Sequence, residues 1–158
     1  MANWMDKISD DIEKKMQADR RAEAVKQSVG SFYTGLEKIV REQTTAANNR
    51  FFEGRDVLEF SYENHENTFD HFIVRKPTFP ALIAKLKVDH DTGIFTITIS
   101  EKPTHNDNDY EEVERLEVNV TTDVEGRPRL ARNNTLQTLT DVAGLMLAPL
   151  VRRTLGLK

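Results

Sequence analysis

The chain has 158 residues, no cysteine and a net charge of −4, a length that suits one domain. Without thiols there are no disulfides, thiolate zinc sites, iron–sulfur clusters or cysteine nucleophiles. Hydrophobic residues are 38% and charged residues 30% of the chain, and the most apolar run, residues 142–151, is about half of the ~20 residues needed to cross a bilayer.

The charge is unevenly spread. Residues 1–50 hold 9 basic and 8 acidic side chains, and residues 51–100 hold 5 and 8. Residues 101–125 hold 2 and 9, and residues 126–158 hold 6 and 1. A nucleic-acid surface needs concentrated cations, so nucleic acid is a poor partner for most of this chain. Met1–Ser9 carries Asp6 and Lys7 and lacks the apolar run of a secretory signal. The expected location is cytoplasmic, with no membrane partner.

Asn3 ahead of Asp6 reads as a helix cap with an acid in the first turn. Met5, Ile8, Ile12, Met16, Ala22, Val25, Val29, Phe32, Leu36 and Ile39 then recur in steps of mostly three and four. This spacing predicts a helix over residues 3–45, some 60 Å long if unbroken. Gly30 and Gly35 are points where it could break, each costing roughly 1 kcal/mol relative to alanine. Ala46–Asn49 reads as its exit.

The period then changes to two. Arg55–Tyr62 alternates, with Leu58, Phe60 and Tyr62 on one side. Asn64–Asn67 is turn chemistry, and Thr68–Lys76 completes a hairpin in which Glu59 and Asp70 are expected to face each other. Ala81–Val88 places Leu82, Ala84, Leu86 and Val88 against Lys85 and Lys87. Asp89–Gly93 is a turn, and Ile94–Ser100 points Phe95, Ile97 and Ile99 inward. Glu112–Thr122 is a further strand. Arg127–Arg132 contains Pro128, which suggests an edge. Asn134 with Gln137 resembles a capping box for a helix over 135–155, striped by Leu136, Leu139, Val142, Ala143, Met146 and Leu150. Pro149 would kink or end it.

The expected fold is α+β. An antiparallel meander of about six strands (55–132) has one face covered by the C-terminal helix and by part of the long N-terminal helix. The layout resembles helix-grip folds, in which a curved sheet wraps a C-terminal helix. Those folds begin with a strand and this chain does not, and no motif links them, so the likeness is one of topology.

Motifs for chemistry are sparse. His65, His71, His90 and His105 include no i, i+4 pair, and no metal or cofactor is implied. No serine sits in a Gly-x-Ser-x-Gly elbow, and no glycine-rich phosphate loop is present. The acidic loop around Asp107, Asp109, Glu111 and Glu112 lacks the order of a calcium loop and reads as solvated. Two functional readings remain. In the first, Trp4, Met5, Ile8, Ile12 and Met16 form an apolar seam on a helix that outruns its domain. That seam must fold back, pair with a second copy as a homodimer, or dock into another protein. This is a non-catalytic interaction or assembly module, with self-association preferred. In the second, a cavity between the sheet and the helices binds a small molecule, or is an enzyme site, near Tyr33, Tyr62 and His71.

Overall fold

The computed structural model describes residues 3–62, 70–103 and 109–157. The turn expected at Asn64–Asn67, the first two residues of Thr68–Lys76, and His65, His105 and Asp107 lie outside the described residues.

A single helix, α1, runs from Trp4 to Phe51, about 70 Å at 1.5 Å per residue. The Asn3 side chain caps it by accepting from the Asp6 N–H at 3.0 Å. Gly30 and Gly35 do not interrupt it. A Cβ on Gly35 would lie 3.0 Å from the Leu139 side chain, so this glycine lets the second helix approach closely. The helix also passes the exit expected near residue 45. Val29, Tyr33, Leu36, Val40, Thr44 and Asn48 are all buried at helical spacing. The last two are polar members of the core stripe, which is why the stripe looked finished before them. Termination comes at Glu53 and Gly54, both left-handed with φ of 56° and 78°. There the N–H groups of Phe52 and Gly54 both reach the Asn48 carbonyl at 3.0 Å.

The Asn48 side chain fastens the helix end to the sheet. Its Nδ2 donates to the Leu58 carbonyl at 2.8 Å, and its Oδ1 accepts from the Leu58 N–H at 3.0 Å. Leu58 is buried and leads into β1.

Seven antiparallel strands follow as a meander in sequence order, curled into a half-barrel. They are β1 (Glu59–Ser61), β2 (His71–Lys76), β3 (Leu82–Asp89), β4 (Ile94–Glu101), β5 (Glu111–Thr122), β6 (Pro128–Arg132) and β7 (Thr135–Gln137). The inner face carries Phe72, Val74, Leu82, Ala84, Leu86, Val88, Phe95, Ile97, Ile99, Val118 and Val120, all in the core. α2 (Leu139–Thr154) covers that face with Val142, Ala143, Met146, Leu147, Leu150 and Val151, and the buried half of α1 lies beside it.

Three expectations need correction. First, residues 135–137 form a seventh strand and do not begin the helix. Arg132 pairs with Thr135, and Asn133 and Asn134 both have positive φ, 51° and 65°. This is the two-residue left-handed hairpin turn that asparagine tolerates. The capping box is one turn later: Thr138 Oγ1 accepts from the Asp141 N–H at 3.0 Å and Asp141 returns the bond at 2.9 Å. Second, β6 is internal, because β7 takes the edge. Pro128 is tolerated there as the first residue of its strand. Third, Glu59 faces Arg75, at 3.5 Å, and not Asp70. Pro149 sits inside α2, which continues because Leu150 and Val151 beyond it are buried. Their burial offsets the ~3 kcal/mol cost of the missing bond and ring clash.

Replacing Asn48 by alanine strips two hydrogen bonds and leaves the buried N–H and C=O of Leu58 without partners. The expected loss is about 2–4 kcal/mol, read as a lower urea midpoint at unchanged slope. Asn48→Asp keeps the acceptor but turns a second oxygen on the Leu58 carbonyl, and it should fall in the same range. An unchanged midpoint in both variants would refute the clasp.

Candidate functional site

Residues 3–23 of α1 are exposed on every side. Burial begins at Ala24 and Val25, where the helix meets the β3–β4 turn: a Cβ on Gly93 would lie 3.4 Å from Val25. The first 20 residues of α1, some 30 Å of helix, therefore project past the sheet as an arm. Along it Trp4, Met5, Ile8, Ile12 and Met16 are 68, 56, 49, 55 and 49% exposed. At 100° per residue these five span about a third of the circumference. They form one contiguous apolar stripe that the described residues leave uncovered. Because α1 is continuous, the stripe does not fold back on the sheet.

The three residues expected near a cavity are divided by the sheet. Tyr33 packs on Phe72, with ring centroids 5.7 Å apart, and Tyr62 packs edge-on against Phe60 at 5.6 Å. Both tyrosines belong to the inner side. His71 alternates with core residues Phe72 and Val74, so it shares the outer face with Ile73 and Arg75 and pairs with Lys87. Its Nδ1 lies 2.6 Å from Asp70 Oδ1.

Tyr33 and Tyr62 are poor candidates for bases. Burial, then the charge of Glu37, pushes the Tyr33 phenol above its ordinary value. Tyr62 is raised by burial and by Glu37 against the opposing effect of Arg41. Both stay protonated at neutral pH. Tyr33, Glu37 and Arg41 are one turn apart along α1; Tyr33 faces β2, and Arg41 faces β1. Arg41 donates to Tyr62 Oη at 2.9 Å and stacks 4.6 Å above the Phe60 ring. This cluster seals the β1 edge of the core, and its sequence signal is a row at i, i+4 and i+8 on α1.

Two grooves flank α2, and neither was legible in the sequence. One of about 720 Å³ lies between α2 and the β5–β6 side, lined by Leu116, Arg132, Leu145, Pro149 and Arg152 among others. The other, about 550 Å³, lies between α2 and the end of α1, over Ala47, Phe51, Leu147, Val151 and Leu155. They share Gly144, Ala148, Arg152 and Leu157, and the first two, being small, leave a low ridge between them. Among the described residues no helix is long and apolar enough to cross a membrane. No family model, no curated protein and no solved structure matches this chain.

Among the described residues, one buried cation stands on the inner face. Lys76 is 5% exposed, and its Nζ donates to the Pro80 carbonyl at 2.9 Å. Burial lowers its pKa, with Glu101 acting weakly in the opposite sense. Between that lowered value and the ordinary lysine value near ~10.4, the unfolded chain binds more protons than the native one. Stability therefore gains from Lys76 as pH rises through this window and loses it below. Compared with Lys76→Met, the natural chain should gain in relative stability as pH rises toward the ordinary lysine range, measured by urea midpoints. Parallel profiles for the two proteins would show that Lys76 is not desolvated.

Proposed function

We propose that the chain is a non-catalytic assembly module that joins a second copy of itself through the seam Trp4, Met5, Ile8, Ile12 and Met16. The observation that carries this reading is their exposure, about half or more each, on a helical arm that its own fold leaves bare. The charge of the arm argues against the other covers. Residues 3–23 hold 5 basic and 6 acidic side chains, so neither an anionic lipid surface nor a phosphate backbone attracts it. Covering five such residues on each of two copies contributes on the order of 1 kcal/mol apiece. Set against the 4–15 kcal/mol cost of association, this gives a reversible complex.

Trp4 is the single tryptophan and reports on its own seam. Its emission should shift to the blue as protein concentration rises through the micromolar range, in step with dimer formation by sedimentation. The chain lacking residues 1–22, and the Ile8→Asp/Ile12→Asp variant, should sediment as monomers with thermal midpoints near that of the natural chain. A monomer at every concentration for the full chain would end this reading.

The α2 grooves favour a second reading, a binding protein for a small anionic amphiphile. Arg132, Arg152 and Arg153 outnumber Glu114 and Asp141 around an apolar floor of Leu116, Leu145 and Pro149. Decanoate should then raise the thermal midpoint where decylamine does not, and Arg132→Ala/Arg152→Ala should abolish the difference. An equal response to both amphiphiles, or to neither, would count against it.

A further inference from the structure

We infer that two arms pair antiparallel, crossing at Ile12; this deepens the self-association proposed above and rests on it. The first argument is charge order. Residues 6–13 hold Asp6, Asp10, Asp11 and Glu13 with Lys7, a net of −3. Residues 14–21 hold Lys14, Lys15, Arg20 and Arg21 with Asp19, a net of +3. All of them are exposed. A parallel pair sets each block beside its like, whereas an antiparallel pair crossing at Ile12 sets Asp10 level with Lys14 of the second copy and leaves only Asp11 and Glu13 level with like charge. The arm is complementary to itself in one direction only.

The second argument is the spacing of the seam. Trp4, Ile8, Ile12 and Met16 fall every four residues, which makes a ridge inclined to the helix axis. Ridges of this kind interdigitate with their own copies at a crossing angle of about −50°. With Ile12 on the two-fold axis, Ile8 meets Met16 of the second copy, and Met16 meets its Ile8. The same register sets Trp4 level with Arg20 of the second copy, a cation over the face of an indole. Asp11 and Lys15 border the seam on the same side, since four residues advance only ~40° around the helix. Across the two-fold they come within one turn of each other, Asp11 beside Lys15 of the second copy and the reverse. The interface is isologous and closes at two subunits. The folded parts then lie on either side of the crossing, at the far ends of the two arms.

The absence of cysteine makes the test direct. Ile12→Cys in the full chain should oxidise to a disulfide-linked dimer, because its copies meet at the axis within bonding range. Ile8→Cys alone and Met16→Cys alone should not, since their copies stand ~12 Å apart along the axis. Mixing those two variants should restore the cross-link. Self-cross-linking of Ile8→Cys and of Met16→Cys, with none in the mixture beyond that, would mean parallel arms and overturn this geometry while leaving self-association intact. No cross-link in any sample, with monomer in sedimentation, would overturn both. Asp11→Lys and Lys15→Asp should each weaken dimerisation about tenfold, since each mutation sets like charges together at two symmetric places. The double swap should recover most of the affinity. Single variants with unchanged dimer constants would refute the register.

Discussion

The continuity of α1 is the constraint on which the rest of the molecule depends. A helix is costly to start and cheap to extend. The buried stretch from Val29 to Asn48 supplies the start, held between α2 and the inner face of the sheet. The arm extends it with residues that favour helix intrinsically: Glu13, Lys14, Lys15, Met16, Gln17, Ala18, Arg20, Arg21, Ala22, Glu23 and Ala24. Asn3 closes the far end. The arm therefore needs no tertiary contact of its own to be helical, and its apolar seam is free for other contacts. Gly30 and Gly35 lie on the anchored side, where packing offsets their cost. The close approach of Leu139 to Gly35 is part of that packing.

A projecting helix transmits position only if its base is fixed, and Asn48 does much of that. One amide side chain satisfies both backbone groups of Leu58, so the last turns of α1 and the chain entering β1 share a single hydrogen-bonded joint. Around it Arg41 spans from α1 to Phe60 and Tyr62. The base of the arm is thus attached by packing along α2, by polar contacts at β1, and by the tip of the β3–β4 turn near Val25 and Val29.

Where burial follows a clean period, the fold was legible. Phe95, Ile97 and Ile99 alternate and are fully buried, and Val142, Ala143, Met146 and Leu150 form the stripe on α2 that their spacing implies, whereas Leu136 of the same series lies in β7 and is exposed. Legibility failed where polar residues occupy core positions or where two local structures share a signature. Thr44 and Asn48 hid the end of α1, because polar side chains at the close of an apolar stripe look like an exit. Asn133 and Asn134 suit a left-handed turn as well as a cap, and only the pairing of Arg132 with Thr135 decides between them. His71 illustrates strand parity. It shares a face with Ile73, and the strand turns that face outward, away from Tyr33 and Tyr62. The α2 grooves arise from Gly144 and Ala148 meeting residues distant in sequence, which no local pattern announces.

The seam and the α2 groove are both uncovered apolar surfaces, and their placement limits what can cover them. Phe51, Leu155 and Leu157 are exposed around the end of α1 opposite the arm. Gln43, the first α1 residue in that groove, lies 27 residues beyond Met16 along unbroken helix, about 40 Å. A helix cannot bend its own tip back across that span without losing several backbone hydrogen bonds in its middle, each worth ~1 kcal/mol, as well as its packing on α2. The groove is therefore closed to the arm of the same chain. A groove filled by the arm of another copy would be a head-to-tail contact, which leaves a free arm and a free groove at every step and grows without limit unless a ring closes. Arm on arm satisfies the seam in both copies at once and stops. The balanced charge blocks at 6–13 and 14–21 favour that closed arrangement over the open one: another arm lying the other way round offers both blocks an opposite, whereas Arg50 and Arg152 in the groove could serve the acidic block alone.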